Sequence, residues 1–478
     1  NNPTGALMDR EFLLKIIEIA RACDAHILCD EVYRGTDQDG DGFSPSIADL
    51  YEKGIGTASM SKVFSLAGLR LGWIAAPRDV IDSGTVLLEG NRIRAVGDSS
   101  LAIPDGFHQV DLEGKTVVPG FVDIHAHGPY GRADIIPQQN WDLLAHLALG
   151  VTTVHNPSSQ ASLVFAAAEY ARAGRILGPR IFSTAEIIYG AKSTYYAPVE
   201  TLDDALAHVR RLKAQGAVTV KNYNQPRRDQ RQMVIEASRR EGVMPVAEGG
   251  ALYHMDMNLI GDGITGVEHN VPTLRLYDDV LQYWRQSEAG YTPTLVVTFG
   301  GLTSEDYYYQ DTEVWKHPLL ANFVPPAVLQ PRSVRRPMAP EADYRDDDAA
   351  AAAKALLDAG VLVNTGGHGQ REGLATHWEM WSFARGGFTP MEALAAATIN
   401  PARYLGMDAD IGSLEPGKLA DLVIIDGNPL KNIRHTDHIS HVVLNGRVYA
   451  ADSLSEVFTG DSTLQPFYWQ GKPESAIR

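Results

Sequence analysis

Between residues 119 and 407, short apolar runs alternate with longer stretches whose apolar positions recur at helical spacing. The runs at 122–127, 151–156, 180–188, 217–222, 244–248, 266–269, 292–298 and 361–365 read as strands. Amphipathic segments such as 202–215 and 349–359 read as the helices between them. Strands alternating with helices argue for βα units and a parallel sheet. Eight such units over roughly 290 residues suit a TIM-type (β/α)8 barrel, whose chemistry sits at the C-terminal strand ends. Residues 301–348 fit no unit and read as a long loop over the barrel mouth.

The flanks follow a different rule. Residues 85–97 alternate apolar and polar around a Gly90-Asn91 turn, and 412–426 with 441–448 do the same near the other end. These pieces are expected to pair into one small β-sandwich built from both ends, 82–118 with 408–450. A tail, 451–478, follows. The first 81 residues read as a separate, truncated α/β segment. There Asp9 caps a helix with Phe12, Leu13, Ile16, Ile17 and Ala20 on one face. The fold class is therefore α/β: a barrel, a composite sandwich and a preceding α/β segment.

Composition narrows the partners. The formal charge of −17 over 478 residues argues against nucleic acid or an anionic membrane as the main partner. A small-molecule substrate is the expected partner, with a homo-oligomer left open. Cys23 and Cys29 have no metal or redox spacing and fit a reducing compartment. No signal peptide or bilayer-spanning run is evident, so a cytoplasmic location is expected. The chain begins with Asn, as if partway into something longer.

Candidate chemistry falls at the strand ends. His125 and His127 stand in Val122-Asp-Ile-His-Ala-His127, where strand alternation would aim two imidazoles at one ion. Strand four ends in Lys221, strand five in Glu248 and strand six in His269, and strand eight runs into His368. Singly, each has an ordinary reading as a surface charge, turn residue or core histidine. Together they place six polar groups where a barrel site needs them.

The segments Pro119-Gly-Phe-Val-Asp-Ile-His-Ala-His127, Gly150-Val-Thr-Thr153, Gly266-Val-Glu-His269 and Gly417-Lys-Leu-Ala-Asp-Leu-Val423 carry a resemblance to the amidohydrolase superfamily over residues 83–450. Ile135-Ile-Pro-Gln-Gln-Asn140 and His368-Gly-Gln-Arg-Glu-Gly-Leu374 resemble the branch that follows a TolB-like propeller. The resemblance implies a hydrolase holding one or two divalent ions, zinc by expectation, on His125, His127, Lys221, Glu248, His269 and His368. It also implies that Lys221 is carboxylated and bridges the ions.

Two departures stand out. Most members place histidine on strand five and aspartate on strand eight, where this chain has Glu248 and His368. His254 is the alternative strand-five ligand, but Glu248 has the better spacing to His269. Glu248 restores the carboxylate lost at strand eight, so the formal site charge is unchanged. The general base is then His368, with Glu248 as runner-up and Lys221 as part of the catalytic set. Tyr195, Tyr196, His155 and Arg371 are candidate substrate contacts. Arg371 would suit a substrate carboxylate, as in a dipeptide or acylated amino acid.

In the first 81 residues, Asn2-Pro-Thr-Gly5, Asp30-Glu-Val-Tyr33 and Ser59-Met-Ser-Lys62 through Gly68-Leu-Arg70 resemble fold-type I aminotransferases that use pyridoxal phosphate. The resemblance implies Lys62 as Schiff-base lysine and Asp30 as partner of the pyridine nitrogen. It implies Asn2 and Tyr33 at the ring hydroxyl, and Ser59, Ser61 and Arg70 at the phosphate. Only the middle of that family's domain is present, so the cofactor site is expected to be vestigial. Three readings result: a metal-dependent amide or ester hydrolase, a transaminase, and an inactive scaffold. The first is favoured.

Overall fold

The computed structural model describes residues 8–23, 25–34, 44–51, 53–59, 72–75, 80–192, 194, 196–249, 252–460 and 464–471. The chain divides into two compact units, residues 1–85 with 97–101, and 86–96 with 102–478.

In the first unit, helix α1 (Arg10–Ala22) starts where Asp9 accepts a hydrogen bond from Phe12 N at 2.8 Å. It buries Leu13, Ile17 and Ala20, one stripe at helical spacing, against Ile47 and Tyr51. Strands β1 (Ile27–Asp30) and β2 (Gly54–Ser59) pair in parallel, and β3 (Gly72–Ala75) joins β2 antiparallel.

β4 (Gly84–Glu89) and β5 (Arg92–Asp98) form a hairpin whose residues 86–89 and 92–96 belong to the second unit. β6 (Lys115–Pro119) pairs antiparallel with β15 (Leu422–Asp426), so segments about 300 residues apart share one sheet with β16 (Ile439–Leu444) and β17 (Arg447–Ala450). Ile93 of the hairpin is buried with Leu422, Ile424 and Val443 of that sheet.

The barrel strands are β7 (Phe121–Asp123), β8 (Val151–Asn156), β9 (Arg180–Ser183), β10 (Ile188–Tyr189), β11 (Thr219–Tyr223), β12 (Met244–Glu248), β13 (Gly266–Glu268) and β14 (Gly290–Thr292). All neighbours are parallel: β7 to β9 form one run and β10 to β14 another. Residues 361–365 close the circle. Asn364 N donates to Tyr291 O, and Ile124 N donates to Thr365 O.

Four strand expectations change. The run at 180–188 is two strands, because Ala185 takes a left-handed backbone (φ 58°) that breaks the extended chain. The run at 292–298 stops at Thr292; Pro293 follows, Thr294 is left-handed (φ 47°) and Leu295–Val297 is a 3-10 turn. Residues 361–365 show only a single bridge, Tyr291 to Val363. His125 and His127 lie beyond the end of β7 rather than within a strand, because Asp123 Oδ1 accepts from His125 N at 3.0 Å and bends the chain.

The stretch 301–348 is also not a loop. It folds into helices Glu305–Asp311, Pro318–Phe323 and Pro326–Val334. Its Tyr308 stacks on Trp378 of helix Leu374–Arg385 at 5.3 Å, and Leu320, Phe323 and Val324 are buried. Prolines at the first turns start two of these helices, which hid their periodicity.

Candidate metal centre

Four imidazoles converge at the C-terminal ends of the barrel strands. The His125 ring lies 5.1 Å from His127, 5.0 Å from His269 and 5.0 Å from His368, centroid to centroid. His368 lies 4.9 Å from His127 and 5.1 Å from His269. Ring nitrogens of His125, His127 and His368 all fall within 4.8 Å of one another. His269 (φ 72°) and His368 (φ 57°) hold left-handed backbones, strain of about 1–3 kcal/mol each that the surrounding packing must sustain.

The backbone clamps this geometry. Asp123, 1% exposed, accepts from the N–H groups of His125 and Gly367 and from Thr376 Oγ1 at 2.7 Å. It thereby ties the turn bearing His125 to the loop bearing His368. That approach needs glycine: a Cβ on Gly369 (φ 67°) would lie 2.2 Å from His127 O.

Lys221 and Glu248 complete the cluster. Lys221 Nζ is 2.5 Å from Glu248 Oε2, and Glu248 Oε1 is 2.7 Å from His269 Nε2. His269 Nδ1 meets Thr294 Oγ1 at 2.6 Å. Burial pushes the Glu248 carboxyl up, but the hydrogen bond from His269 and the Lys221 charge outweigh it and hold the group down at about 2. Burial and then neighbouring positive groups lower His127 to about 4 and His368 to about 3, so both are neutral near pH 7.

Neutral imidazoles are what a divalent ion requires. His125 gives the sharpest test of fit. It is fully buried, its Nδ1 lies 2.7 Å from Glu268 Oε2, and its Nε2 has no hydrogen-bond partner among the described residues. A lone pair so placed among three further imidazoles suits a metal ligand.

The other candidates are more dispersed. His254 is exposed on helix Tyr253–Asp262, whereas Glu248 pairs with Lys221 and His269. His155 is 2% exposed and uses both nitrogens, on Ile124 O at 2.9 Å and Thr219 Oγ1 at 2.6 Å. Arg371 is 4% exposed, donating to Tyr309 OH at 2.8 Å and to Glu372 at 3.2 Å. Tyr196 is exposed and bridges to Tyr189. Tyr195 lies outside the described residues.

Of the aminotransferase-like positions, Asn2, Ser61, Lys62 and Arg70 also lie outside them. So does the side chain of Ser59, which ends β2. Asp30 accepts from Val32 N at 3.2 Å, within its own turn, and Tyr33 follows that turn.

Sequence reasoning passed over Glu268. Strand alternation places it opposite His269, yet the left-handed backbone at His269 lets both side chains reach interior partners. The available signal was an acidic residue inside an otherwise apolar strand. Tyr223 and Phe299 were missed too. Lys221 Nζ lies 5.2 Å from the Tyr223 ring, which stacks on Tyr189 at 5.1 Å, and Phe299 lies 5.6 Å from His269.

Residues 116–449 match the amidohydrolase family model. The chain belongs to the amidohydrolase family. Residues 1–89 match the model of aminotransferase class I and II. An imidazolonepropionase of Symbiobacterium thermophilum is 67% identical over 39 residues, 8% of this chain and 9% of that protein. An aspartate aminotransferase of Pyrococcus horikoshii is 39% identical over 87 residues, 18% of this chain and 22% of that protein. Each match thus spans less than a quarter of the relative's own length. Among solved structures, a Xaa-Pro dipeptidase with bound methionine superposes with TM-score 0.59 at 20% identity, covering 76% of this chain and 94% of that one. At that identity the likeness shows the (β/α)8 fold. No helix among the described residues is long and apolar enough to cross a membrane.

Proposed function

We propose that the chain is a metal-dependent hydrolase that cleaves amide (C–N) or ester bonds of small substrates. The carrying observation is the buried Nε2 of His125, unpartnered among the described residues, with three further imidazoles beside its ring. His125, His127 and His368 would hold one ion, zinc by preference for such donors. His269, Glu248 and a carboxylated Lys221 would serve a second. When bound, a divalent ion polarises a carbonyl and supplies a water acidic enough to attack at neutral pH.

The chain's own residues then have defined tasks. His368 is held neutral by burial and receives a 3.1 Å contact from Gln370 Nε2 on its Nδ1. It takes the proton from the attacking water and passes it to the leaving group only through a nitrogen not given to the ion, with Glu248 as second candidate. Glu248, kept anionic, balances the positive charge of the site.

The surroundings favour an apolar or aromatic substrate portion. Tyr223 lies under Lys221 and stacks on Tyr189, and the 40% exposed Phe299 lies beside His269, so aromatic rings line this side of the cluster. Arg371, engaged with Tyr309 and Glu372, gives little support to a role in binding a substrate carboxylate. Transamination is not assigned to residues 1–81, since the aminotransferase match spans 22% of that relative.

The test is a panel of amides, esters and lactones with aromatic, aliphatic and carboxylate-bearing groups, run with and without a chelator. Chelator-sensitive hydrolysis with preference for aromatic or aliphatic members is expected. Turnover that persists in the chelator would overturn the reading.

A further inference from the structure

Glu268 lies in β13, 2% exposed, and its Oε2 is 2.7 Å from Nδ1 of His125. Thr292, its register partner on β14, and Tyr404 lie against the same carboxylate. Neither the His-x-His motif nor the hydrolytic chemistry assigns it a task. A neutral imidazole carries one proton on one of two nitrogens, and the hydrogen bond at one nitrogen decides which. Burial pushes the Glu268 carboxyl up to about 8; once ionised it is an acceptor at Nδ1, which places the proton there and leaves the Nε2 lone pair free. That atom has no partner among the described residues, and its ring packs within about 5 Å of three further imidazoles.

We propose that Glu268 is a positioning residue of the metal centre. As a carboxylate it accepts from Nδ1–H of His125 and fixes the ring, so that Nε2 faces the ion as a ligand. The proposal rests on the metal-binding part of the function above. Carboxylate–histidine pairs of this kind orient ligands at metal sites in general, and their loss typically weakens metal binding about 10- to 100-fold. Glu268 also links β13 to the end of β7 across the barrel, which a purely structural residue would do equally well. The two roles differ in what the metal reports.

The experiment compares the full chain with Glu268→Gln and Glu268→Leu. Gln retains an acceptor oxygen at Nδ1, and Leu retains only bulk. Zinc affinity is read by competition with a chelator, ligand-field absorption after loading with Co(II), and metal-free stability by thermal melting. Glu268→Leu should bind zinc about 10- to 100-fold more weakly, with a changed Co(II) spectrum. Glu268→Gln should recover most of the affinity. Parent-like zinc affinity and Co(II) spectrum in a folded Glu268→Leu would overturn the proposal, as would equal losses in both variants. A parent chain that binds no zinc would instead overturn the metal reading itself. Should Glu268→Leu not fold, 15N-histidine spectra of the metal-free parent, assigned by difference from Glu268→Gln, decide the matter. A protonated Nδ1 on His125 is expected above about pH 8, and a protonated Nε2 there would refute the proposal.

Discussion

Replacing Glu248 with glutamine removes one charge at nearly constant shape, and the structure says what that leaves behind. Lys221 Nζ sits 2.5 Å from Glu248 Oε2, with the two side chains 3% and 20% exposed. Little water is available to take over the partner's role. Breaking such a buried pair on one side destabilises by about 3–5 kcal/mol, because the remaining charge stays buried and unpaired. The Glu248–His269 contact at 2.7 Å is charge-assisted and adds to the loss. The assay is urea unfolding of the metal-free chain in chelator, for Glu248→Gln, Lys221→Met and the double variant. Glu248→Gln alone should lose about 3 kcal/mol or more. The double variant should be more stable than Glu248→Gln, since it no longer holds an orphaned ammonium, and the cycle should show coupling of about 1–3 kcal/mol. Additive effects within about 0.5 kcal/mol would refute the idea that the pair acts as a unit.

Further outcomes follow from the same site and its neighbours. Glu248→His with His368→Asp keeps the formal charge, and its metal content should exceed that of either single variant; no rescue would defeat the charge-compensation argument. Burial lowers His155 and His377 to about 4. Their unfolded forms therefore take up protons first as pH falls below the ordinary value of about 6.5. The contribution of these two histidines should be fully present above that pH and fade between about 6.5 and 4, by on the order of 3 kcal/mol each. Asp142 and Glu268, raised by burial to about 7 and about 8, act in the opposite sense, so the loss is read as the difference in stability between the metal-free parent and His377→Gln. A parent-to-variant difference that stays constant over that window would contradict this. Lys62→Ala should leave hydrolytic kcat/KM within about threefold, a barrier change below ~0.7 kcal/mol; a hundredfold loss would mean that residues 1–81 share the active site.

The alternation of apolar runs and helical segments made the barrel legible, because buried parallel strands are apolar on both faces and interrupt the helical period cleanly. Segment 202–215 is a case where local signals agree. Thr201 and Asp204 form a capping box, Gly216 ends the helix at φ 115°, and the helix runs Leu202–Gln215. Helix Asp346–Asp358 begins before 349 because its three aspartates suit a first turn, which apolar periodicity cannot register.

What escaped the sequence depends on backbone torsions and long-range contacts. Nothing in a strand pattern announces the left-handed residues Ala185, His269 and Thr294, and each redirects the chain. His125 and His127 were identifiable as a pair, but the turn that carries them is set by Asp123, whose other partners are Gly367 and Thr376. Glu268 meets His125 across 143 positions of sequence, so only the closed barrel brings them together. Arg371 and His155 were chemically plausible substrate contacts. Whether a polar group faces a substrate or a neighbour in the core is decided by packing, which a single sequence does not encode locally.

The measurement that bears most directly on the central claim is metal content per chain, by elemental analysis, for the parent and His125→Ala. The same samples are assayed for hydrolysis before chelation, after it, and after metal is restored. The parent should carry at least one divalent ion per chain, lose activity with the ion and regain it on reloading, while His125→Ala should lose both. Equal metal content in the two proteins, or hydrolysis that survives complete removal of the ion, would contradict the account.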